Sequence, residues 1–281
     1  MTTTWVSDVP PPPIYRPRGL ADWWRVARRG VPMAAVIGIG VVVLMMIRLV
    51  EWPLFGARRP LSPHVTVMVC RATIWLIGIG RVVRGRPMRR RGAFVANHVA
   101  WLDVFMLNSA RDLYFVAKSE VAQWPGIGFL ARATGTLFIA RARREAKVQQ
   151  DLFRSRLLSG HHLLFFPEGT STDSCRVLPF KPTLFAAFFD EALRHEMHIQ
   201  PITLVYHAPT GGDPRFYGWW GDMDFGSHLL AMLATPKHGW AEVIFHDPVR
   251  VDDFSNRKSL ALDLEQTVRR ALEQARPDAK S

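Results

Sequence analysis

Residues 94–105 read FVANHVAWLDVF, an apolar run that holds Asn97, His98 and, five positions after the histidine, Asp103. On one straight helix five residues turn about 500°, which leaves the two side chains roughly 140° apart on different faces. If a strand ends near Asn97 and a helix begins after the histidine, His98 sits in the turn, Asp103 sits in the first helical turns, and the two meet. That reading makes the segment a strand-to-helix junction, where α/β folds display reactive groups.

Working outward, short apolar runs alternate with longer amphipathic ones from about residue 92. The strand candidates are AFVAN (93–97), LYFVA (113–117), TLFIA (136–140), HLLFF (162–166), ITLVY (202–206) and AEVIF (241–245). Helix-like stretches lie near 101–110, 119–133, 142–158 and 180–195, and Leu260, Leu264, Val268 and Leu272 mark a closing amphipathic helix. The pattern predicts an α/β fold with a mostly parallel central sheet covered by helices, its ligands gathered at the carboxyl ends of the strands. The odd polar residues fall there: Asn97 and His98 after the first run, Lys118 after the second, Arg141 after the third, and Pro167, Glu168 and Gly169 after the fourth. APTGGDPRFYGWWGDMDF, beyond the fifth run, reads as a long ordered loop.

The chain of 281 residues, 48% hydrophobic, is long enough for one large domain and an appendage. Two cysteines, Cys70 and Cys175, give no disulfide framework and fit a reduced, cytosolic setting. The appendage is N-terminal. VPMAAVIGIGVVVLMMI (31–47) carries no charge, and HVTVMVCRATIWLIGIG (64–80) is apolar except for Arg71 near its middle. These predict a membrane-associated helical hairpin over 21–84 that dips into one leaflet from the cytosolic side, its arginines snorkelling to head groups; one true spanning helix is the alternative. Residues 1–20, with Pro10 to Pro13, read as a disordered tail, and 85–281 as the large α/β domain. The net charge of +12 favours a polyanionic partner. Its arginines cluster around the apolar segments, in RRG, ARRP and RGRPMRRR, which fits lipid head groups better than a duplex and argues against nucleic acid.

The HxxxxD spacing alone is weak, since ten histidines and 15 aspartates supply roughly 0.5 chance matches. Its company raises the odds. GTLFIAR ends a run with Arg141, a planar donor suited to phosphate or carboxylate, and FFPEGTS ends another in a turn whose backbone N–H groups can face an anion. In isolation that second segment is an ordinary turn. A zinc site built on Glu191, His195 and His198, at i, i+4 and i+7 of a predicted helix, is the rival, with His161 and His162 adjacent to each other; no cysteine or HExxH pattern supports it, and no metal is expected.

Together NHVAWLD, GTLFIAR, FPEGTS and QPITLVY, in this order and separation, resemble the four blocks of the lysophosphatidate acyltransferase family of glycerolipid acyltransferases, over roughly residues 85–250. The hairpin is similar to that family's membrane-binding helices, and FPEGTSTDSCRVLPFKPTLFAAF resembles the bacterial branch of lyso-ornithine lipid acyltransferases. Pro182 and Thr183 depart from the glycine that many members carry after the lysine matching Lys181.

The resemblance implies transfer of a fatty acyl group from acyl carrier protein or acyl-CoA to the free hydroxyl of a lysolipid, without a cofactor, at the cytoplasmic face of the inner membrane. Lysophosphatidate, giving phosphatidic acid in phospholipid biosynthesis, is the first acceptor it suggests, and lyso-ornithine lipid the alternative. A non-enzymatic basic membrane-binding protein is the reading of another class. His98 is the implied general base and Asp103 its orienting carboxylate; Arg141 with Glu168, Gly169 and Thr170 would hold the acceptor head, with Lys118 and Lys181 as secondary contacts. Pro201 would shape the pocket wall, and Trp219 and Trp220 line an acyl channel or simply pack. A covalent nucleophile is not expected, because there is no GxSxG elbow, Cys70 lies in the hairpin and Cys175 has no local base.

Overall fold

The computed structural model describes residues 4–56, 58–139 and 146–276. Its six anticipated apolar runs become strands β2 (Gly92–Ala96), β3 (Tyr114–Lys118), β4 (Leu137–Ile139), β5 (Leu163–Phe165), β6 (His198–His207) and β7 (Trp240–Phe245). Two strands absent from the sequence reading join them: β1 (Gly80–Arg84) and β8 (Val249–Arg250). The sheet runs β1-β7-β6-β2-β5-β3-β4, with β8 paired to the start of β6. Strands β6, β2, β5, β3 and β4 are mutually parallel, β7 is antiparallel to β6, and β1 follows β7. The sheet is therefore mostly parallel, and its first strand lies inside the segment 21–84 expected to be hairpin alone.

Period-2 geometry makes β2 the centre of two cores at once. Phe94 and Ala96 face one layer with Leu102, Met106, Leu107, Leu204 and Tyr206, while Ala93 and Val95 face the other with Phe185, Val205, Leu264 and Val268. Pro201 lies within the long β6, opposite Val95, rather than at the opening of a strand.

The helices are α1 (Leu20–Phe55), α2 (Ser62–Ile77), α3 (Leu102–Ala110), α4 (Ile127–Thr134), α5 (Ala146–Leu158), α6 (Glu191–Arg194), α7 (Phe225–Ala234) and α8 (Arg257–Ala275). The helix expected over 119–133 is broken, because Pro125 and the left-handed Gly126 (φ 71°) separate a 3-10 turn at Ser119–Gln123 from α4. The stretch 180–195 is likewise a 3-10 segment at Pro182–Phe189 followed by α6, restarted by the Asp190 cap on the Ala192 N–H. Helix α6 ends at Arg194, so the helical face that would have carried Glu191, His195 and His198 does not form; His195 meets Asp252 at 3.2 Å and His198 lies on β6. Helix α7 emerges from the long loop where Asp224 accepts the Ser227 N–H at 2.7 Å.

Helix α1 has 36 residues, about 54 Å at 1.5 Å per residue, and is apolar enough by length and composition to cross a membrane. It packs against α2 where Gly40 faces Val69, and α2 lies along α3. Several polar residues of the hairpin turn inward instead of snorkelling. Arg29 is buried and donates to the Leu233 and Thr235 carbonyls at the end of α7, Arg71 donates to the Ser109 carbonyl at 2.8 Å, and Glu51 closes the tip by accepting the Leu61 and Ser62 N–H groups. Exposed Leu49, Val50, Trp52, Leu54, Met68 and Trp75 remain on the outer surface. Residues 4–18 have no helix or strand yet are held by side-chain contacts: the Trp5 N–H donates to Thr170 Oγ1 at 3.3 Å and Arg215 Nη1 donates to the Pro10 carbonyl at 2.9 Å.

Candidate active site

Neighbouring parallel strands β2 and β5 fix the site. Val95 pairs with Phe165, and carried three residues onward that register brings His98 and Glu168 out of the sheet side by side. Asn97 extends the ladder by one step, its amide accepting the Leu204 N–H at 2.8 Å and donating to the Leu204 carbonyl at 2.9 Å. The chain then turns into α3 and places Asp103 in its first turn, as the spacing required.

Asp103 is fully buried and every oxygen is engaged. Oδ2 accepts His98 Nδ1 at 2.7 Å and the N–H groups of Val99 at 2.6 Å and Ala100 at 3.1 Å; Oδ1 accepts the Tyr206 hydroxyl at 2.9 Å. A carboxylate that accepts at Nδ1 fixes the hydrogen there and leaves Nε2 as the bare lone pair. The His98 ring stacks on Phe166, centroids 4.0 Å apart at 11°, and keeps 21% of its side chain open to solvent. Thr172 grips the His98 carbonyl with its N–H at 2.9 Å and its hydroxyl at 3.2 Å. The histidine is thus held from ring, carbonyl and N–H, with one basic nitrogen free.

The His98 N–H is held by Glu168, and this revises the expectation for that residue. Its Oε1 accepts the His98 N–H and its Oε2 the Leu178 N–H, both at 2.7 Å, and it is 2% exposed. Glu168 ties the two loops together rather than facing an acceptor. Burial pushes its carboxyl up to about 8, with the Asp103 charge adding and the two N–H donors opposing.

Gly169 has φ 72°, a turn conformation that favours glycine, and the Lys181 side chain crosses it closely enough that a Cβ there would lie 2.5 Å from Nζ and push the lysine aside. Lys181 therefore sits over the Glu168–Gly169 turn, exposed, while Thr170 Oγ1 is taken by the Trp5 N–H. Lys118 ends β3, half-buried. Arg141 lies outside the described residues. Cys175 is half-buried and burial raises its thiol, the wrong direction for a nucleophile.

An aromatic wall continues from the histidine. The Trp219 N–H donates to the Val99 carbonyl at 3.0 Å, Trp219 packs edge-on against Trp124 at 6.2 Å, and Trp101 does the same against Phe225 at 5.4 Å. Trp220 is 4% exposed and packs at 6.2 Å from Trp5, so it is the packed member of the pair. Sequence reasoning missed Tyr206. Its only signal was position, at the end of the block QPITLVY, where it reads as core.

A basic nitrogen beside a buried carboxylate, at the edge of an aromatic wall, suits deprotonation of an alcohol carried by a lipid. The family model described as Acyltransferase matches residues 81–205. The lyso-ornithine lipid O-acyltransferase of Rhodobacter capsulatus is 54% identical over 270 residues, covering 96% of this chain and 97% of that protein. The chain belongs to this acyltransferase family. It is an O-acyltransferase, which sets aside the reading as a purely binding protein. The 1-acyl-sn-glycerol-3-phosphate acyltransferase of Neisseria meningitidis serogroup B is 33% identical over 144 residues, 50% of this chain and 55% of that one. The crystal structure of the 1-acyl-sn-glycerophosphate acyltransferase PlsC of Thermotoga maritima shares the fold, with a TM-score of 0.58 at 18% identity over 88% of this chain and 98% of that one.

Proposed function

We propose that this acyltransferase esterifies the free hydroxyl of lyso-ornithine lipid, with a fatty acyl thioester as donor, at the cytoplasmic face of the membrane that α1 enters. His98 Nε2 takes the hydroxyl proton as the oxygen attacks the thioester carbonyl. The tetrahedral intermediate collapses, the C–S bond breaks, and the thiolate leaves with the proton from His98. Asp103 stabilises the imidazolium between these steps. No enzyme–acyl bond and no cofactor enters the sequence. The observation that carries the mechanism is the 2.7 Å contact of His98 Nδ1 with a fully saturated, buried Asp103. Lys181 over the Gly169 turn, Lys118 and Arg141 are the cations offered to the acceptor's carboxylate, and the aromatic wall is offered to its chain.

End-to-end identity of 54% to a lyso-ornithine lipid O-acyltransferase supports that acceptor ahead of lysophosphatidate. Lysophosphatidate stays as the second reading because relatives named for it match half of the chain. The test supplies labelled acyl carrier protein thioester or acyl-CoA with each lysolipid in turn and identifies products by mass spectrometry. Ornithine lipid as the dominant product is expected. Dominant phosphatidic acid would replace the acceptor, and no product from either lysolipid would refute the reading.

A further inference from the structure

Two arginines far apart in sequence converge at the end of the sheet opposite the active site. Arg59, in the hairpin tip, and Arg156, in the last turn of α5, place their guanidinium carbons 5.8 and 4.6 Å from the centroid of the Tyr114 ring. Gly135 makes the approach possible: its φ is 85°, a Cβ there would lie 2.6 Å from Arg59 Nη1, and its carbonyl accepts Arg156 Nη2 at 2.9 Å. Two like charges are thereby brought together at a half-buried place, and burial with the neighbouring Arg59 and Arg48 pushes the Arg156 guanidinium down to about 10.

The local donors outnumber their acceptors. Among the described residues neither arginine has a carboxylate within ion-pair distance, Arg59 has no hydrogen bond, and Arg156 Nε is buried without a partner. Glu51, whose charge reaches Arg59, is spent on the Leu61 N–H, the Ser62 N–H and Arg48. Unmatched cationic donors on a preformed aromatic and glycine cradle call for an anion with several oxygens.

We propose that Arg59, Arg156 and the Tyr114 ring form a binding site for the phosphate of an anionic phospholipid head group. The flanking surface selects the lipid source. Trp52, Leu54, Phe55 and Leu61 are exposed around the tip, and Val148 and Leu152, at i−8 and i−4 of Arg156 on α5, are exposed beside it. Apolar side chains on both sides of a phosphate cradle match a bilayer surface, where the head group meets the acyl region. The site pins the hairpin tip and α5 to the same membrane plane, independently of the acceptor that His98 uses.

Flotation of the full-length protein with phosphatidylcholine vesicles, with and without phosphatidylglycerol, tests this. Arg59→Gln with Arg156→Gln should lower partition onto phosphatidylglycerol vesicles by about thirtyfold, taking roughly 1 kcal/mol for each arginine at an anionic surface. Arg59→Lys with Arg156→Lys keeps the charge but not the forked donors, and should lose at least about tenfold. It also serves if the glutamine pair fails to fold. Arg257→Gln with Lys258→Gln, exposed at the start of α8, should change partition less than about threefold. Wild-type partition of the lysine pair, or equal loss in the α8 control, means that diffuse charge suffices and overturns the site. A thermal midpoint raised by inorganic phosphate in wild type alone, with vesicle binding unchanged by the substitutions, would assign the cradle to free phosphate and overturn the lipid. His98→Ala should float as wild type does, so failure of the catalytic reading leaves this outcome intact.

Discussion

Asp103→Asn separates charge from geometry at the base. In many buried carboxylate–histidine pairs the amide can turn its NH2 toward the ring and force the other tautomer. Here the Val99 and Ala100 N–H groups both point at the oxygen that faces His98, so the amide oxygen must occupy that position. The amide nitrogen then faces Tyr206, whose hydroxyl rotates from donor to acceptor. Four hydrogen bonds survive, and His98 keeps its hydrogen on Nδ1. What is lost is one negative charge about 4 Å from the developing imidazolium, worth about 4 kcal/mol at an effective dielectric constant near 20. The rate constant for acyl transfer should fall roughly 10³-fold with KM for either substrate nearly unchanged and a thermal midpoint close to wild type. The assay is single-turnover acyl transfer from labelled thioester. A fall of less than about tenfold, or a loss expressed chiefly in KM, would refute the role given to the Asp103 charge.

His98→Ala should lower the rate by roughly 10²- to 10⁴-fold, the usual weight of a general base, while circular dichroism stays native because the fold uses the His98 backbone rather than its ring. Glu168 predicts a pH dependence of stability. Its folded carboxyl titrates at about 8 against an unfolded value of 4.5, so the neutral form is favoured by folding; the contribution is complete below pH 4.5 and lost as pH rises through about 8. The full span is about 5 kcal/mol. Chemical denaturation at a series of pH values should show Glu168→Gln less stable than wild type at pH 5, where its NH2 must face a backbone N–H, but with a flatter profile toward pH 9; parallel profiles would contradict the assignment.

The features legible in the sequence were those whose cause is local. A five-residue spacing across FVANHVAWLDVF sufficed to place His98 in a turn and Asp103 in a first helical turn, because both positions follow from where one strand stops. Alternation of apolar runs gave most of the parallel sheet for the same reason. Elements with weak local signals were lost: β1, GRVVR, is exposed along its whole length at the sheet edge, β8 has two residues, and the helix assumed over 119–133 ignored Pro125.

The partnerships that complete the site have no local signature at all. Tyr206 reaches Asp103 across 103 positions and Glu168 reaches the His98 N–H across 70, and each contact exists only because β6 and β5 lie on either side of β2. Strand order depends on which crossovers pack, and no period within a single strand encodes it. A tyrosine at the end of an apolar run reads as core until a carboxylate is known to sit beneath its hydroxyl. The family resemblance implied that Glu168 helps hold the acceptor head, yet its two oxygens are taken by the His98 and Leu178 N–H groups in an apolar setting, and that burial is set by the fold rather than by any local sequence signal.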